Sequence, residues 1–547
     1  MIRESRINDT ARWQDLLNRY WIWIALLIII ISTGAIRFRL SEVPLERDEG
    51  EYAYAGQLIL DGVPPYAQVY NMKMPGIYAA YALILAIFGQ THTGIRLGLL
   101  VINAATIFLL FLLAKKLFDP IGALTTAAAF GLLSLGQRVL GTSANAEHFV
   151  ILPAIGGILL LTHALDYQKW FSLLAGAVLL GLAFIMKQHG AAFIMFAGFY
   201  LLFSEICRRP FNGKLFVSKG LVFVVGAVLP FAVTCLILWR CGVLEKFWFW
   251  TFDYAREYVS AKPFSAGLKT LKMHTSLIVK STISLWILAG IGFTSLWWNK
   301  KARQHSIFVI GFLFFSFLAI CPGFYFRPHY FILLLPAVAL LAGIGVSSIQ
   351  TLFAQSRSAL AGRAIPILLV FFALFHTIYQ QRNFFFVMSP SEASRSTYGS
   401  NPFPESLEIA RFIKEHSEKN DRIAVMGSEP QIYFYSNRRS ATGHIYTYAL
   451  MEDHKHAWKM QKEMIQEIES WSPKFLVYVN IPTSWLARPD SKKLIFKWFI
   501  QYQDKYYQKV GTIDMLPRQQ TVYCWGQECE NYKPRSSHWL SVFKRKS

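Results

Sequence analysis

Long apolar runs separated by short charged turns fill the first two-thirds of the chain. The first, WIWIALLIIIISTGAI (Trp21–Ile36), carries no charge. A helix needs about 20 apolar residues to cross the bilayer core. By that measure the stretches 20–40, 96–114, 121–140, 148–166, 171–187, 189–206, 215–239, 276–298, 306–322, 329–350 and 364–380 predict about eleven membrane spans. PGIYAAYALILAIFG (Pro75–Gly89) is apolar but too short for a comfortable span, so it is predicted to lie in the interface. EGEYAYAGQLIL places Tyr52, Ala55, Leu58 and Ile59 at helical spacing, the pattern of an amphipathic surface helix.

After about residue 381 the pattern changes. SLEIARFIKEHSEKN has helical periodicity, whereas DRIAVMG, KFLVYVN and TVYCWG read as short strands. Strands alternating with helices predict a small α/β domain over 381–547. It contains no glycine-rich phosphate-binding fingerprint.

Composition agrees with a polytopic membrane protein: 54% of the 547 residues are hydrophobic and 16% aromatic. The net charge of +22 would suit nucleic acid, but the cations sit mostly beside apolar runs, so headgroup contact and topology signals explain them better. With Pro75–Gly89 left out of the spans, the positive-inside rule gathers Arg3, Arg6, Arg12, Arg19, Lys115, Lys116, Lys169, Arg208, Arg209, Lys300, Lys301, Arg357 and Arg363 on one side. The expectation is a cytoplasmic N-terminus (1–19), a membrane unit over 20–380 with an external loop at 41–95, and a C-terminal domain on the outer face of the plasma (inner) membrane. The six cysteines show no metal-ligand spacing; only Cys524 and Cys529, in CWGQEC, are close enough to suggest a disulfide.

On that topology several ionisable groups collect at one face. Asp48, Glu49 and Glu51 follow the first span. Lys73 precedes the interfacial helix, Glu147 and His148 open the fourth predicted span, Lys187 and His189 lie between the fifth and sixth, and Arg327 and His329 follow the ninth. Acidic residues here would also cap a helix N-terminus, and the cations would snorkel. Ionisable groups at membrane depth are nonetheless functional candidates by default.

The order of these features resembles the GT-C membrane glycosyltransferases: one span, an acidic motif, GVPPY, a lysine before a Pro-led interfacial helix ending FG, then IRL opening the next span. GTSANAE and RPHYFILLLPAVALLAG extend the resemblance, which covers roughly 20–350. It is nearest to the protein O-mannosyltransferases and the bacterial lipid A aminoarabinose transferases. The resemblance implies a mainly α GT-C fold and an inverting hexosyl- or pentosyltransferase. The sugar would move from a polyprenyl-phosphate donor to a lipid, glycan or protein acceptor outside the membrane, without nucleic acid. It implies Asp48 as the base, with Glu49 sharing the task or holding a metal. Lys73, Lys187, Arg256, Arg327 and His329 would surround the donor phosphate, and Glu147 with His148 would form a second-loop acidic site. Oxygen ligands from Asp48, Glu49 and Glu147 would suit Mg2+ or Mn2+, and metal-independent transfer stays open. A transporter or flippase of a lipid-linked sugar, or a non-catalytic homologue, are the competing readings. A transporter tends to place charges near the midplane in repeated halves, and no internal repeat is visible.

Overall fold

The computed structural model describes residues 2–260, 262–354, 359–517 and 519–546, with side chains throughout except at 2–19, 354 and 359–363. Arg357 and the side chains of Arg3, Arg6, Arg12, Arg19 and Arg363 therefore lie outside the described residues.

The first apolar run is the second half of α1 (Ile2–Arg39). Two shorter helices follow, α2 (Arg47–Leu60) and α3 (Pro75–Phe88), before the long helix α4 (His92–Leu117). Then come α5 (Pro120–Leu133), α6 (Ala146–Tyr167), α7 (Trp170–Met186), α8 (Ala191–Ile206) and α9 (Gly213–Arg240). Among the described residues six helical segments are long and apolar enough to cross a membrane: Tyr20–Arg39, His92–Leu117, Ala146–Tyr167, Gln188–Ile206, Gly213–Arg240 and Leu335–Phe353. Pro120–Leu133, Trp170–Met186, Ser306–Ile320 and Ala364–Gln380 are shorter apolar helices at other expected spans. The chain is a multi-pass membrane protein. Its apolar side chains point outward as well as inward: Val217, Leu221, Val224 and Val228 of α9 are all exposed, as suits a helix set in lipid.

One expected span is corrected. The run 276–298 is not a single helix: Phe264–Ser281 and Ile283–Trp298 meet at 104° across Thr282. Thr282 leaves the helical conformation (φ −138°) and turns its hydroxyl back to the Ile278 carbonyl at 3.0 Å. The first helix of the pair carries Lys269, Lys272 and Lys280 and only Gly267 and Ile278 are buried in it, the character of a surface helix.

The carboxyl-terminal part holds one six-stranded sheet: β1 (Arg422–Met426), β2 (Arg439–Ser440), β3 (Phe475–Asn480), β4 (Tyr507–Asp514), β5 (Val522–Trp525) and β6 (Trp539–Arg545). The order is β2-β1-β3-β6-β4-β5, with β2, β1 and β3 parallel and the rest antiparallel. Ile423, Ala424, Val425 and Met426 are all inaccessible to solvent, because parallel strands are covered on both faces. Cys524 and Cys529 are separate free thiols, the first in β5 and the second in the turn after it, which corrects the suggested bond.

This sheet does not hang free of the membrane helices. The helix Gln431–Ser436 lies against α2 so closely that a Cβ on Gly50 would stand 2.6 Å from the Gln431 backbone nitrogen. Arg47 enters the same seam. It pairs with the buried Glu429 at 2.7 Å, donates to the Tyr448 hydroxyl at 2.9 Å and to Asn401 at 3.2 Å, and also reaches the Ser428 carbonyl.

Candidate functional site

The acidic motif at the start of α2 divides its labour. Glu46 is the N-cap: its carboxylate accepts from the Glu49 N–H at 3.3 Å, and Glu49 returns the bond to the Glu46 N–H at 3.2 Å, a capping box. Glu49 is wholly buried and bidentate to Arg96 of α4, with the Ala144 N–H as a further donor. Glu51 accepts from Tyr78 at 2.5 Å and Asn71 at 2.7 Å, and burial pushes its carboxyl up to about 7. Of the three carboxylates first noticed, Asp48 lines a cavity that Glu49 and Glu51 do not reach.

That cavity, of about 60 Å3, lies between the segment joining α1 to α4, the Leu244–Ser260 helices, the loop before the helix Leu335–Ala354 and the carboxyl-terminal part. Asp48 Oδ2 accepts from Lys73 Nζ at 3.0 Å, and Oδ1 accepts from the Tyr446 hydroxyl at 3.0 Å. Burial opposes its charge, but Lys73 together with His329 outweighs it and holds the carboxyl below the usual aspartate range. In the same way burial alone would lower Lys73, and Asp48 and Glu51 instead hold it above the usual lysine value. Lys187 lines the cavity with its ammonium 4.3 Å over the Tyr330 ring and paired behind to Glu147. His329 lies 3.9 Å from the same Glu147 oxygen. Arg327 donates to the Tyr258 hydroxyl at 3.1 Å and stacks near Tyr325, leaving most of its fork without a protein partner among the described residues.

Asp48, Lys73, Lys187, Arg327 and His329 thus share one chamber. The others sit elsewhere. Arg256 is exposed: Tyr254 and Tyr258, on either side of it, turn to the cavity, so Arg256 falls on the opposite side of the helix. Glu147 is buried behind Lys187, and His148 beside it contacts Asn103 rather than the cavity. His189 is hydrogen-bonded to the Ala319 carbonyl. Among the described residues no three His, Cys, Asp or Glu form a metal-ligand group. Asp48, Glu49 and Glu147 are each held by a different cation, Lys73, Arg96 and Lys187. They do not present a common oxygen donor set.

The residues that sequence reasoning missed are aromatic. Tyr70, Trp250, Tyr254, Tyr258, Tyr446 and Tyr448 wall the chamber, with Glu452 accepting from Tyr254 at 2.6 Å. Tyr446, Tyr448 and Glu452 come from the segment after β2, in and beside the short helix Tyr448–Met451, so the carboxyl-terminal part closes the site. The one trace of this in the sequence is the aromatic pair Tyr446 and Tyr448 in HIYTYALMED, whose i, i+2 spacing is that of a strand although the chain forms none there.

The family described as dolichyl-phosphate-mannose-protein mannosyltransferase matches residues 72–234. An undecaprenyl phosphate-alpha-4-amino-4-deoxy-L-arabinose arabinosyl transferase of Pseudomonas aeruginosa is 33% identical over 145 residues, 25% of this chain and 26% of that protein. The chain thus aligns with about a quarter of the length of the curated relatives it matches. Structural likeness runs much further. The crystal structure of ArnT from Cupriavidus metallidurans bound to undecaprenyl phosphate superposes over 96% of this chain and 98% of that one, with a TM-score of 0.58 at 14% identity. The apo oligosaccharyltransferase of Archaeoglobus fulgidus covers 96% of this chain and 76% of its own, with a TM-score of 0.54 at 11% identity. Six apolar spanning segments, α2 and α3 laid between the first two, and a carboxyl-terminal α/β part closing the chamber place this chain among proteins with the GT-C fold of membrane glycosyltransferases.

Proposed function

We propose that this protein transfers a sugar from a polyprenyl-phosphate donor to an acceptor hydroxyl, with inversion, on the extracytoplasmic face of the membrane. The observation that carries the reading is the pairing of one ionised, cavity-lining carboxylate, Asp48, with three cations and a histidine in the same chamber. The family description and the names of the similar proteins, which join a sugar to dolichyl or undecaprenyl phosphate, support that donor class.

The chemistry follows from the charges. Asp48 accepts the acceptor hydroxyl's proton as its oxygen attacks the anomeric carbon. The bond from that carbon to the phosphate oxygen breaks with its electron pair, and Arg327 and Lys187 offset the charge growing on the phosphate. A single displacement inverts the anomeric centre. The rings of Trp250, Tyr254 and Tyr258 offer flat apolar faces to the sugar.

The test uses the full-length protein in nanodiscs with a polyprenyl-phosphate sugar and envelope extract. Mass spectrometry should find polyprenyl phosphate released together with a glycosylated product. Movement of intact donor between leaflets without cleavage would instead establish a flippase. Tyr446→Phe removes one hydrogen bond to a charged partner, worth about 1.5–3 kcal/mol. Turnover is expected to fall about tenfold, with melting shifted by no more than a few degrees. An unchanged rate would mean that Tyr446 does not orient Asp48.

A further inference from the structure

α2 has a second surface, away from the chamber. Tyr54, Gln57, Leu58 and Asp61 recur at helical spacing and form one wall of a groove of about 410 Å3. The opposite wall, from the sheet edge, is cationic: Lys419, Arg422, Arg438 and Arg439 face the single carboxylate Asp61. Arg438 is consumed internally, donating to the Lys414 and Ser417 carbonyls at 3.1 and 2.6 Å. The other three are not. Arg422 is held flat, 3.5 Å from the Trp471 ring centre, and gives one bond to the Ser440 carbonyl at 2.6 Å. Arg439 reaches Asp61 only at 3.4 Å, with both side chains nearly half exposed. Arg422 and Arg439 are register partners on β1 and β2, and besides partial burial the neighbouring Arg439 lowers the Arg422 guanidinium, so two like charges stand side by side on this wall.

The groove also has an apolar neighbour. Gln57 Nε2 donates at 2.9 Å to Gln90, which stands just before α4 and just after α3. At that end of α3, Leu83, Ile87 and Phe88 are exposed. Uncompensated cations thus meet exposed apolar side chains at the head of a spanning helix, where headgroups and chains of lipids also meet.

We propose that this groove binds the phosphate-bearing headgroup of a membrane amphiphile, with its chain along Leu83, Ile87 and Phe88. The planar fork of Arg422, already fixed by Trp471, suits phosphate oxygens, and Arg439 and Lys419 complete the charge. None of these residues lines the chamber, so the proposal stands apart from the transfer reading.

The test is native mass spectrometry of the full-length protein in neutral detergent with phosphatidic acid, phosphatidylcholine or inorganic pyrophosphate added. Phosphatidic acid is expected to bind, and at least tenfold more weakly to Arg422→Gln/Arg439→Gln. Lys493→Gln/Lys497→Gln, which removes two exposed cations elsewhere, should leave binding unchanged. Pyrophosphate should bind more weakly than the lipid, and phosphatidylcholine weakly if at all. Equal retention of phosphatidic acid by wild type and the arginine variant overturns the site. Pyrophosphate binding as tight as the lipid overturns the amphiphile and leaves a simple anion site. Should the double variant fail to fold, the exposed Lys419→Gln carries the test, with a drop of about threefold expected and no drop overturning the proposal.

Discussion

Asp48→Asn is expected to lower transfer by about a thousandfold, within the range of roughly 10²–10⁴ that a positioned general base contributes. The amide keeps the shape of the carboxylate, but its single oxygen can accept in place from only one of Lys73 and Tyr446, and it cannot take the acceptor's proton. Binding of polyprenyl phosphate should survive, because Lys187 and Arg327 are untouched. Initial rates at saturating donor and acceptor, read beside a melting curve, separate the two effects. A variant turning over within tenfold of wild type would remove Asp48 from the chemistry. Glu49→Gln offers the contrast: it should act on folding, since Glu49 touches Arg96 and backbone rather than the chamber.

The largest loss of stability is expected from Arg96→Met. Glu49 is wholly inaccessible to solvent, and Arg96 is its only cationic partner among the described salt bridges. Removing one member of a buried pair leaves a stranded charge, at a cost of about 3–5 kcal/mol. Thermal unfolding in detergent should show the drop, and Arg96→Met/Glu49→Gln should recover most of it, since the amide carries no charge. If the double variant melts no higher than the single one, the loss lies in packing around Arg96 and not in the stranded carboxylate.

Much of this molecule was legible because membrane helices announce themselves by uninterrupted apolar length. The same simplicity hides breaks within a run. Thr282 looks in sequence like any small polar residue in a greasy stretch, and only its non-helical backbone, at φ −138°, marks the bend. The acidic motif was legible as either cap or reactive group: Glu46 and Glu49 cap the helix, and Asp48 lines the cavity. Arg256 was misplaced because helical phase was not followed through its own short segment, where Tyr254 and Tyr258 hold the inward positions. Strands β1, β3 and β5 stood out as apolar or aromatic runs, whereas β4 (YQKVGTID) is half polar. Tyr446 could not be found by spacing at all, since it meets Asp48 across 398 positions of chain. Contacts of that range exist only once the whole fold has formed.

Arg47 and Asp48 are consecutive, yet one is fastened to Glu429 and the other faces Lys73. Protein engineers hoping to exchange the carboxyl-terminal part between relatives as a ready-made cassette would therefore find it keyed to this loop. A graft that lacked counterparts of Glu429 and Tyr446 would strip an arginine of its buried counter-ion and an aspartate of its hydroxyl donor, so a working chimaera must carry both sides of the seam together.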